Sequence, residues 1–315
     1  MQKGIHIPLN GMVTFLVLSM FSTLCFAQGS GKANTDFIKR KWLNITYASP
    51  SSAQKLDIYL PDEGDGPFPV ILSIHGGAFK AGDKADKQVI PMLEGLKRGY
   101  AVVSINYRLS GEAIFPAQIY DVKAAIRWIR ANGKQFKLSA DKIVAWGGSA
   151  GGHLSAMAGT SGHVKKLEDL SQGNAEQSSC VQAVVDWFGP TDFLKMDAQM
   201  KKSGVKNPQI HSVRDSPESE LIGKDITKAP ALVKAANPET YITKDDPPFF
   251  IQHGLIDNLV PYQQSVNLAK KLKTVIGTDK VSIELLQDSG HGGPAFSSTQ
   301  NLEKVFAFLD KYLKE

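Results

Sequence analysis

The sequence has only two cysteines, Cys25 and Cys180, among its 315 residues. So few cysteines exclude a fold built on disulfide bonds and a cysteine-rich zinc module. A strong charge imbalance is also missing, because 36 basic and 31 acidic residues give a net charge of +5. Charges so balanced and dispersed predict no nucleic-acid partner. The remaining composition, 42% hydrophobic and 21% charged, is that of a globular protein and excludes disordered, collagen-like and coiled-coil chains.

The first thirty residues almost lack charge. No Lys, Arg, Asp or Glu occurs from Gly4 to Gly31, and the middle of this block is apolar. Cys25-Phe26-Ala27 places small residues just ahead of a cut before Gln28, which is the order of a secretory signal peptide. The apolar run is shorter than the roughly 20 residues of a membrane-spanning helix. We predict a signal peptide over residues 1–27 and an exported protein, periplasmic or secreted, with no stable membrane association; an uncleaved anchor and a lipoprotein signal are the alternatives.

The rest of the chain predicts one domain rather than two. Residues 28–39 are polar and predict a flexible tail, and residues 40–315 show neither a linker nor an internal repeat. Residues 194–247 are polar and rich in proline, which favours a small cap-like insertion. Cys180 would be the one cysteine left after cleavage, and its apolar neighbours predict an inert, buried thiol.

Short apolar runs alternate with helical patterns along this domain. Such runs are typical of strands buried on both faces of a parallel sheet. The predicted strands are Trp42–Tyr47, Lys55–Leu60, Pro69–Ile74, Tyr100–Ile105, Ile143–Trp146, Val181–Phe188, Pro248–Gln252 and Val281–Leu286. The predicted helices are Gln88–Arg98, Pro116–Asn132, Pro261–Ile276 and Ser297–Tyr312. This alternation predicts an α/β fold with a mostly parallel central sheet of about eight strands and helices on both faces.

The motif Gly147-Gly148-Ser149-Ala150-Gly151 follows a predicted strand and precedes a helix of small residues. A G-x-S-x-G in this context forms a tight turn that lifts the serine hydroxyl clear of the sheet. The helix N-terminus behind it favours developing negative charge. A glycine-rich turn without catalysis and a phosphate-binding loop are the competing interpretations. We predict Ser149 as a nucleophile.

A second glycine motif, His75-Gly76-Gly77-Ala78-Phe79, follows the predicted strand Pro69–Ile74. Glycines there let backbone N–H groups face a developing oxyanion, and the N–H of Ala150 is the usual companion donor. We expect His75 to pin this loop structurally rather than act as a base.

Asp257 and His291 each follow a later predicted strand. The order Ser149, Asp257, His291 is the serine, acid, histidine order of the α/β-hydrolase fold, in which the acid orients the imidazole. Asp288 is a competing acid, but it lies only three residues before the histidine. The remaining histidines of the domain show no metal-ligand spacing, so we predict neither a metal nor a cofactor.

Together with Asn106-Tyr107-Arg108-Leu109 and Phe115-Pro116-Ala117, these motifs resemble the α/β-hydrolase superfamily over most of residues 40–313. More narrowly, the chain resembles the bifunctional carbohydrate/feruloyl esterase-like branch, near the hormone-sensitive-lipase and carboxylesterase groups. That likeness rests on the two glycine motifs, with Gly152-His153 after the serine motif, on Ser216-Pro217-Glu218-Ser219 and on Asp245-Asp246-Pro247-Pro248-Phe249. Hormone-sensitive-lipase relatives carry a third glycine where this chain has Ala78. The resemblance implies an oxyanion hole made by the N–H groups of Gly77, Ala78 and Ala150, with Gly76 a further candidate.

The resemblance and the predicted export imply a serine esterase acting on a small-molecule or carbohydrate ester. Acetyl or feruloyl esters of plant cell-wall carbohydrate are the expected substrates. Four aromatic residues near the motifs, Phe79, Tyr107, Trp187 and Phe188, are candidate ligand contacts, with core packing as the competing interpretation. An arylformamidase or a general small-ester carboxylesterase would use the same triad. A non-catalytic binding protein on this fold is the remaining alternative.

Overall fold

The computed structural model of the protein describes residue 1 and residues 31–314. Residues 2–30 and residue 315 lie outside the described residues. The predicted signal peptide and the predicted cut after Ala27 fall in that range and stay predictions. No helix in the described part of the chain combines the length and the apolarity that a membrane crossing requires.

Eight strands in the described residues form one sheet. They are β1 (Lys41–Thr46), β2 (Lys55–Tyr59), β3 (Phe68–Ile74), β4 (Ala101–Ile105), β5 (Leu138–Gly148), β6 (Ala183–Trp187), β7 (Phe249–Gly254) and β8 (Val281–Leu286). Their order across the sheet is β1-β2-β4-β3-β5-β6-β7-β8. β2 pairs antiparallel with both of its neighbours, whereas every pair from β4 across to β8 is parallel. The predicted mostly parallel sheet is confirmed, and each strand overlaps the run that predicted it.

Helices cover both faces of this sheet. The α-helices of the described residues are α1 (Ile90–Leu93), α2 (Ala117–Phe136), α3 (Ala150–Thr160), α4 (Met196–Ser203), α5 (Pro217–Ile222), α6 (Pro230–Ala236), α7 (Gln263–Ile276), α8 (Pro294–Ser297) and α9 (Thr299–Leu313). Short 3-10 helices span Lys87–Val89, Glu94–Arg98, Lys165–Leu167, Leu170–Gln172, Phe193–Lys195, Ile226–Lys228, Pro238–Thr240 and Thr278–Lys280. The apolar stripes of α2, α3 and α7 join one buried cluster, and those of α1 and α9 join the other. The expectation of helices on both faces is therefore confirmed.

The predicted helix Gln88–Arg98 is broken into three short pieces. Pro91 has no N–H to donate, so the α-helical hydrogen-bond pattern cannot run through it from the preceding turn. The last piece ends at Gly99, which adopts a left-handed φ of 78°. Helical periodicity is therefore a correct sign of burial here but not of a continuous helix.

The polar N-terminal segment is packed on the domain from residue 31 onward, in contrast to the predicted flexible tail over residues 28–39. The N–H of Ala33 donates to the carbonyl of Ala85 at 2.7 Å, and the N–H of Lys87 donates to the carbonyl of Gly31 at 2.9 Å. Ile38 is only 3% exposed and belongs to a buried cluster. One apolar side chain and these backbone pairs hold a segment whose composition suggested mobility.

Cys180 is half-buried rather than buried as predicted. It lies ahead of β6, which begins only at Ala183, so the cysteine is outside the sheet. Its sulfur lies 3.8 Å from Nε2 of His163.

Helix α3 lies unusually close to the sheet because its inward face is made of small residues. A Cβ at Gly151 would overlap the carbonyl oxygen of Ile74, and one at Gly159 would approach the Phe249 ring within 2.7 Å. Ser155, between them on the same face, is fully buried. This close approach sets the height of the β5–α3 turn above the sheet.

We predict that Gly151→Ala destabilises the protein by about 3 kcal/mol or more, because the neighbour that must yield is backbone rather than a flexible side chain. Gly111→Ala is the matched control, since a Cβ there meets no atom within 4 Å, and its effect should stay within about 1 kcal/mol. Equilibrium unfolding in urea measures both. Equal stability of the two variants would contradict the close packing of α3.

Candidate active site

The chemically interesting residues meet at one edge of the sheet. Ser149 follows β5, Asp257 follows β7 and His291 follows β8. β5 is joined to β7 through β6, and β8 is next to β7. Because these strands are parallel, their carboxyl ends lie at the same edge, where open α/β sheets place their ligands.

Ser149 lies at a strained turn between β5 and α3. Its backbone has φ 58° and ψ −122°, a conformation that a residue with a side chain rarely adopts. The turn is held by two hydrogen bonds: the Ser149 N–H donates to the Trp187 carbonyl at 2.9 Å, and the His153 N–H donates to the Ser149 carbonyl at 2.9 Å. The strain therefore persists because the sheet and the helix fix both sides of the serine.

Ser149, His291 and Asp257 form a continuous hydrogen-bonded chain. Nε2 of His291 lies 2.8 Å from Oγ of Ser149, and Nδ1 lies 2.7 Å from Oδ2 of Asp257. The Asp257 side chain is fully buried, whereas that of His291 is 16% exposed. With the Nδ1 proton directed at the carboxylate, Nε2 is left to accept the serine proton. The arrangement can activate a hydroxyl as a nucleophile.

Asp257 receives hydrogen bonds on both carboxylate oxygens. Oδ1 accepts the N–H groups of Leu259 at 2.8 Å and Val260 at 2.9 Å. Burial alone would raise the pKa of Asp257, but the charge of His291 and the hydrogen bonds from His291 and His253 hold that pKa well below its ordinary value. The carboxylate therefore stays ionised over the whole working pH range.

His253 is a second imidazole on Asp257, to which sequence patterns assign no role. Its Nε2 lies 2.9 Å from the Val260 carbonyl and 3.2 Å from Oδ2 of Asp257. Nδ1 lies 2.7 Å from the hydroxyl of Ser265 on α7. A neutral ring with its proton on Nε2 satisfies all three neighbours. His253 stands only four residues before Asp257 in the sequence. A lone histidine in a strand gives no sign, however, that its ring contacts that carboxylate.

The competing acid Asp288 lies on the exposed side of its loop. None of the described residues donates a hydrogen bond to its carboxylate. Asp257, not Asp288, is the acid that the structure brings to His291.

The loop that follows β3, residues 75–82 (the β3 loop), is pinned by its histidine as expected. The His75 ring stacks on that of Tyr107 with centroids 4.4 Å apart, and the Tyr107 hydroxyl donates to the His75 carbonyl at 2.9 Å. Burial lowers the pKa of His75, so the ring stays neutral. The N–H of Gly76 donates to Oε1 of Gln88 at 2.8 Å, and this removes Gly76 as a candidate oxyanion donor.

Three predicted donors remain available. Among the described residues no acceptor takes up the N–H of Gly77, Ala78 or Ala150. Gly77 and Ala78 have positive φ values of 119° and 56°, which turn successive amides away from an ordinary strand path. Ala78 therefore stands in a backbone conformation that glycine adopts more easily. Free amides at the start of α3 and in the β3 loop are what an anion site at this edge requires.

Three of the four aromatic residues expected near a ligand lie in the core. Phe79 and Tyr107 are each 1% exposed and Trp187 is 5% exposed. The Phe79 ring packs against His153 and the Trp187 ring against Trp146. Their side chains therefore serve packing, the competing interpretation. Phe79 and Tyr107 lie in loops, where no periodicity separates an inward from an outward aromatic. Trp187 ends β6, which is buried along its whole length, so alternation does not separate the two interpretations there either.

Phe188 is the exception, because its ring contacts the proposed site directly. Its centroid lies 4.7 Å from that of His291, and a second contact joins it to Phe296 at 4.8 Å. Phe188 is 8% exposed. It supports the face of the His291 ring and limits where that imidazole can turn.

Asp186 is a further buried carboxyl below the serine turn. It stands opposite Gly147 in the β5–β6 register. Oδ1 accepts the Gly189 N–H at 3.0 Å, whereas Oδ2 has no hydrogen-bond partner among the described groups. Burial raises the pKa of Asp186 to about 6, although the Gly189 N–H opposes that rise. A single Asp inside the apolar run Ala183–Trp187 was the sequence signal for this group.

Comparison with known proteins places these features in context. A protein-family model named BD-FAE matches residues 56–272. LipM of Mycobacterium tuberculosis, named as a carboxylic ester hydrolase, is 33% identical over 77% of this chain and 54% of its own length. Esterase LipC of the same organism is 30% identical over 76% of this chain and 57% of its own. The chain thus spans about half the length of these curated relatives.

Solved structures show the same fold. A carbohydrate esterase from gut microbiota, solved in truncated form, is 37% identical, with a TM-score of 0.80 over 90% of this chain and 100% of that one. A bifunctional GH43-CE protein of Bacteroides eggerthii is also 37% identical, with a TM-score of 0.76 over 87% of this chain and 35% of that one. An esterase of Thermogutta terrifontis, 23% identical with a TM-score of 0.68, shares the fold alone. The expected α/β-hydrolase fold is confirmed.

We predict that Asp186→Asn changes the pH dependence of stability. The pKa of Asp186 is about 6 in the folded state, against 3.8 for the free group. Between these pH values the folded state therefore binds a proton that the unfolded state has lost. This group therefore favours the folded state below pH 3.8, and the advantage is lost as pH rises through 6. Asparagine cannot lose a proton, so the free energy of unfolding of the variant should rise relative to that of the wild type by up to about 3 kcal/mol as the pH increases across this window.

Unfolding in urea at a series of pH values measures that difference. Asp288→Asn is the control, because its carboxylate is exposed. A constant difference between Asp186→Asn and the wild type at every pH would show that folding does not raise the pKa of Asp186.

Proposed function

Since the chain belongs to the BD-FAE family, we propose that it is a serine esterase that hydrolyses carboxylic esters through Ser149, His291 and Asp257. The observation that carries the proposal is the hydrogen-bonded chain itself, 2.8 Å from serine to histidine and 2.7 Å from histidine to aspartate. The esterase names of LipM and of the gut-microbiota carbohydrate esterase support the reaction class.

The first half-reaction forms an acyl-enzyme. Oγ of Ser149 attacks the ester carbonyl carbon while its proton passes to Nε2 of His291, and the carbonyl electron pair moves onto oxygen. The amides of Gly77, Ala78 and Ala150 bind that oxyanion, and loss of one such donor typically costs about 3 kcal/mol of barrier. The tetrahedral species then collapses, the ester C–O bond breaks, and His291 returns the proton to the leaving alcohol.

The second half-reaction repeats these steps with water. His291 takes a proton from water, whose oxygen attacks the acyl carbon, and the same amides hold the second oxyanion. Collapse breaks the bond to Oγ, Ser149 regains its proton and the acid is released. Asp257 stays ionised throughout and stabilises the imidazolium that forms in each half.

We extend the proposal to acetyl or feruloyl esters of plant cell-wall carbohydrate. Its support is the 37% identity to two solved carbohydrate-esterase proteins. Export belongs to the proposal as well, and it rests on the uncharged, apolar sequence of residues 4–31.

Replacement of the nucleophile gives the direct test of the reaction. Ser149→Ala should lower kcat on p-nitrophenyl acetate by about 10⁴-fold or more, because no other group supplies the attacking oxygen. Covalent labelling by a fluorophosphonate should be lost with it, which also separates an enzyme from a binding protein.

Ser282→Ala is the matched control, since Ser282 is exposed on β8. It should keep full activity and full labelling. An unchanged rate in a folded Ser149→Ala protein would refute the assignment.

The substrate class is tested by paired esters with the same acyl group. For an acetyl esterase, we expect kcat/KM on acetylated xylo-oligosaccharide to exceed that on ethyl acetate by about tenfold or more. For a feruloyl esterase, we expect the same excess on feruloylated oligosaccharide over methyl ferulate. The reason in both cases is that the bound sugar contributes to transition-state binding. Release of acetate or ferulate is followed by chromatography. Preference for the simple esters in both pairs would reject a carbohydrate ester and leave a general carboxylesterase.

A further inference from the structure

The segment between β6 and β7 reaches the loop that carries Asp257. We call residues 194–247 the cap, residues 207–211 within it the strap, and residues 255–260 the β7 loop. The Gln209 N–H donates to the Asn258 carbonyl at 2.8 Å, and the Asn258 side-chain amide donates to the Asn207 carbonyl at 3.2 Å. The strap therefore lies along the β7 loop and is joined to it by one backbone and one side-chain hydrogen bond.

A buried histidine completes this attachment. His211 is 1% exposed, and its Nε2 lies 2.9 Å from the carbonyl oxygen of Leu259. The N–H of the same Leu259 donates to Oδ1 of Asp257 at 2.8 Å. Leu259 therefore links His211 to the carboxylate that orients His291.

The other ring nitrogen of His211 faces a buried carboxylate. Nδ1 lies 3.0 Å from Oε2 of Glu218, whose side chain is 5% exposed. Neither atom has a hydrogen-bond partner among the described groups, so their contact is a close electrostatic one rather than an aligned hydrogen bond. Glu218 belongs to the Ser216-Pro217-Glu218-Ser219 motif, to which the proposed esterase mechanism gives no role.

The two contacts together fix the protonation of His211. The Leu259 carbonyl requires a proton on Nε2, and the Glu218 carboxylate requires one on Nδ1, so a neutral ring would set a lone pair against one of them. Asp197 on α4 adds a second carboxylate nearby, since its oxygens accept the backbone N–H groups of His211 at 2.7 Å and Ser212 at 2.9 Å. Burial alone would lower the pKa of His211, but Glu218 and Asp197 outweigh burial and raise that pKa.

We propose that the protonated His211 and Glu218 form a positioning pair that holds the β7 loop, and with it Asp257, in place, and that loss of the His211 proton as the pH rises loosens this loop. The catalytic half of the proposal rests on the proposed esterase function. The groups facing His211 are Glu218 on α5, Asp197 on α4 and the Leu259 carbonyl. Deprotonation therefore leaves either a carboxylate or a carbonyl without its donor inside the protein.

Two variants and one control test the pair. His211→Gln keeps a side-chain donor but no charge, and Glu218→Gln keeps the shape but removes the anion. Asp225→Asn neutralises an acid of the same cap that pairs with the 80%-exposed Lys228 and does not touch the β7 loop. Circular dichroism and thermal unfolding establish that each variant is folded.

The primary readout is amide hydrogen exchange of the peptide that covers residues 255–262, which needs no activity. Exchange should be faster than in the wild type for His211→Gln and Glu218→Gln and unchanged for Asp225→Asn. In the wild type, exchange of this peptide should also accelerate beyond the intrinsic pH effect as the pH rises through the titration of His211, with a peptide from α9 as reference. Unchanged exchange of this peptide in both folded variants overturns the proposal. If a variant does not fold, the wild-type pH series takes its place, and exchange that follows the intrinsic pH effect alone overturns the proposal.

The second readout is the pH profile of ester hydrolysis. Wild-type kcat/KM should fall as the pH rises through the titration of His211. His211→Gln should lack that fall and lose about 10- to 100-fold in kcat with little change in KM. Glu218→Gln should shift the fall to lower pH. If the pair were purely structural, the two variants would be less stable but the fall of kcat/KM with rising pH would stay where it is in the wild type. That result would overturn the positioning role. If the wild type hydrolyses no ester, the proposed function fails by itself, and the exchange of residues 255–262 alone then decides the pair.

Discussion

The arrangement of this site depends on one buried negative charge. Asp257 is 1% exposed, and a carboxylate removed from water to that extent costs several kcal/mol unless donors surround it. Here the donors come from the amides of Leu259 and Val260, from the His253 ring and from His291. The loops at the carboxyl ends of two neighbouring strands, β7 and β8, must therefore converge on Asp257. That convergence places His291 within hydrogen-bond distance of the serine.

The serine turn shows the cost of this arrangement in stability. Ser149 keeps a strained backbone, α3 tolerates no side chain at Gly151, and Asp186 leaves one carboxyl oxygen without a partner among the described groups. None of these features helps the protein to fold. They persist because the parallel strands and the helix packed on them fix the turn.

Sequence patterns predicted those features that are local. Each strand is a contiguous run, and Ser149, Asp257 and His291 each follow a strand end in a loop, so chain order and a parallel sheet suffice to bring them to one edge. The polar environment of Asp257 was not predictable in this way. His211 contacts Leu259 across 48 residues, and no periodicity links a cap histidine to a loop carbonyl. The buried Ile38 in a polar segment has the same explanation, since a tertiary contact outweighs composition.

Helix α5 lies between the cap histidine and the β3 loop. Glu218 and Glu220 are two residues apart, which is about 200° around a helix, so they point in nearly opposite directions. Glu218 faces His211 and, through it, the β7 loop, whereas Glu220 forms an ion pair of 2.7 Å with Lys80 in the β3 loop. One short helix therefore contacts the loop whose amides are free directly, and the loop that carries the acid only through His211. The two contacts differ in strength, because the Lys80–Glu220 pair is more than a third exposed on each side and contributes little, whereas the contact of Glu218 with His211 is buried.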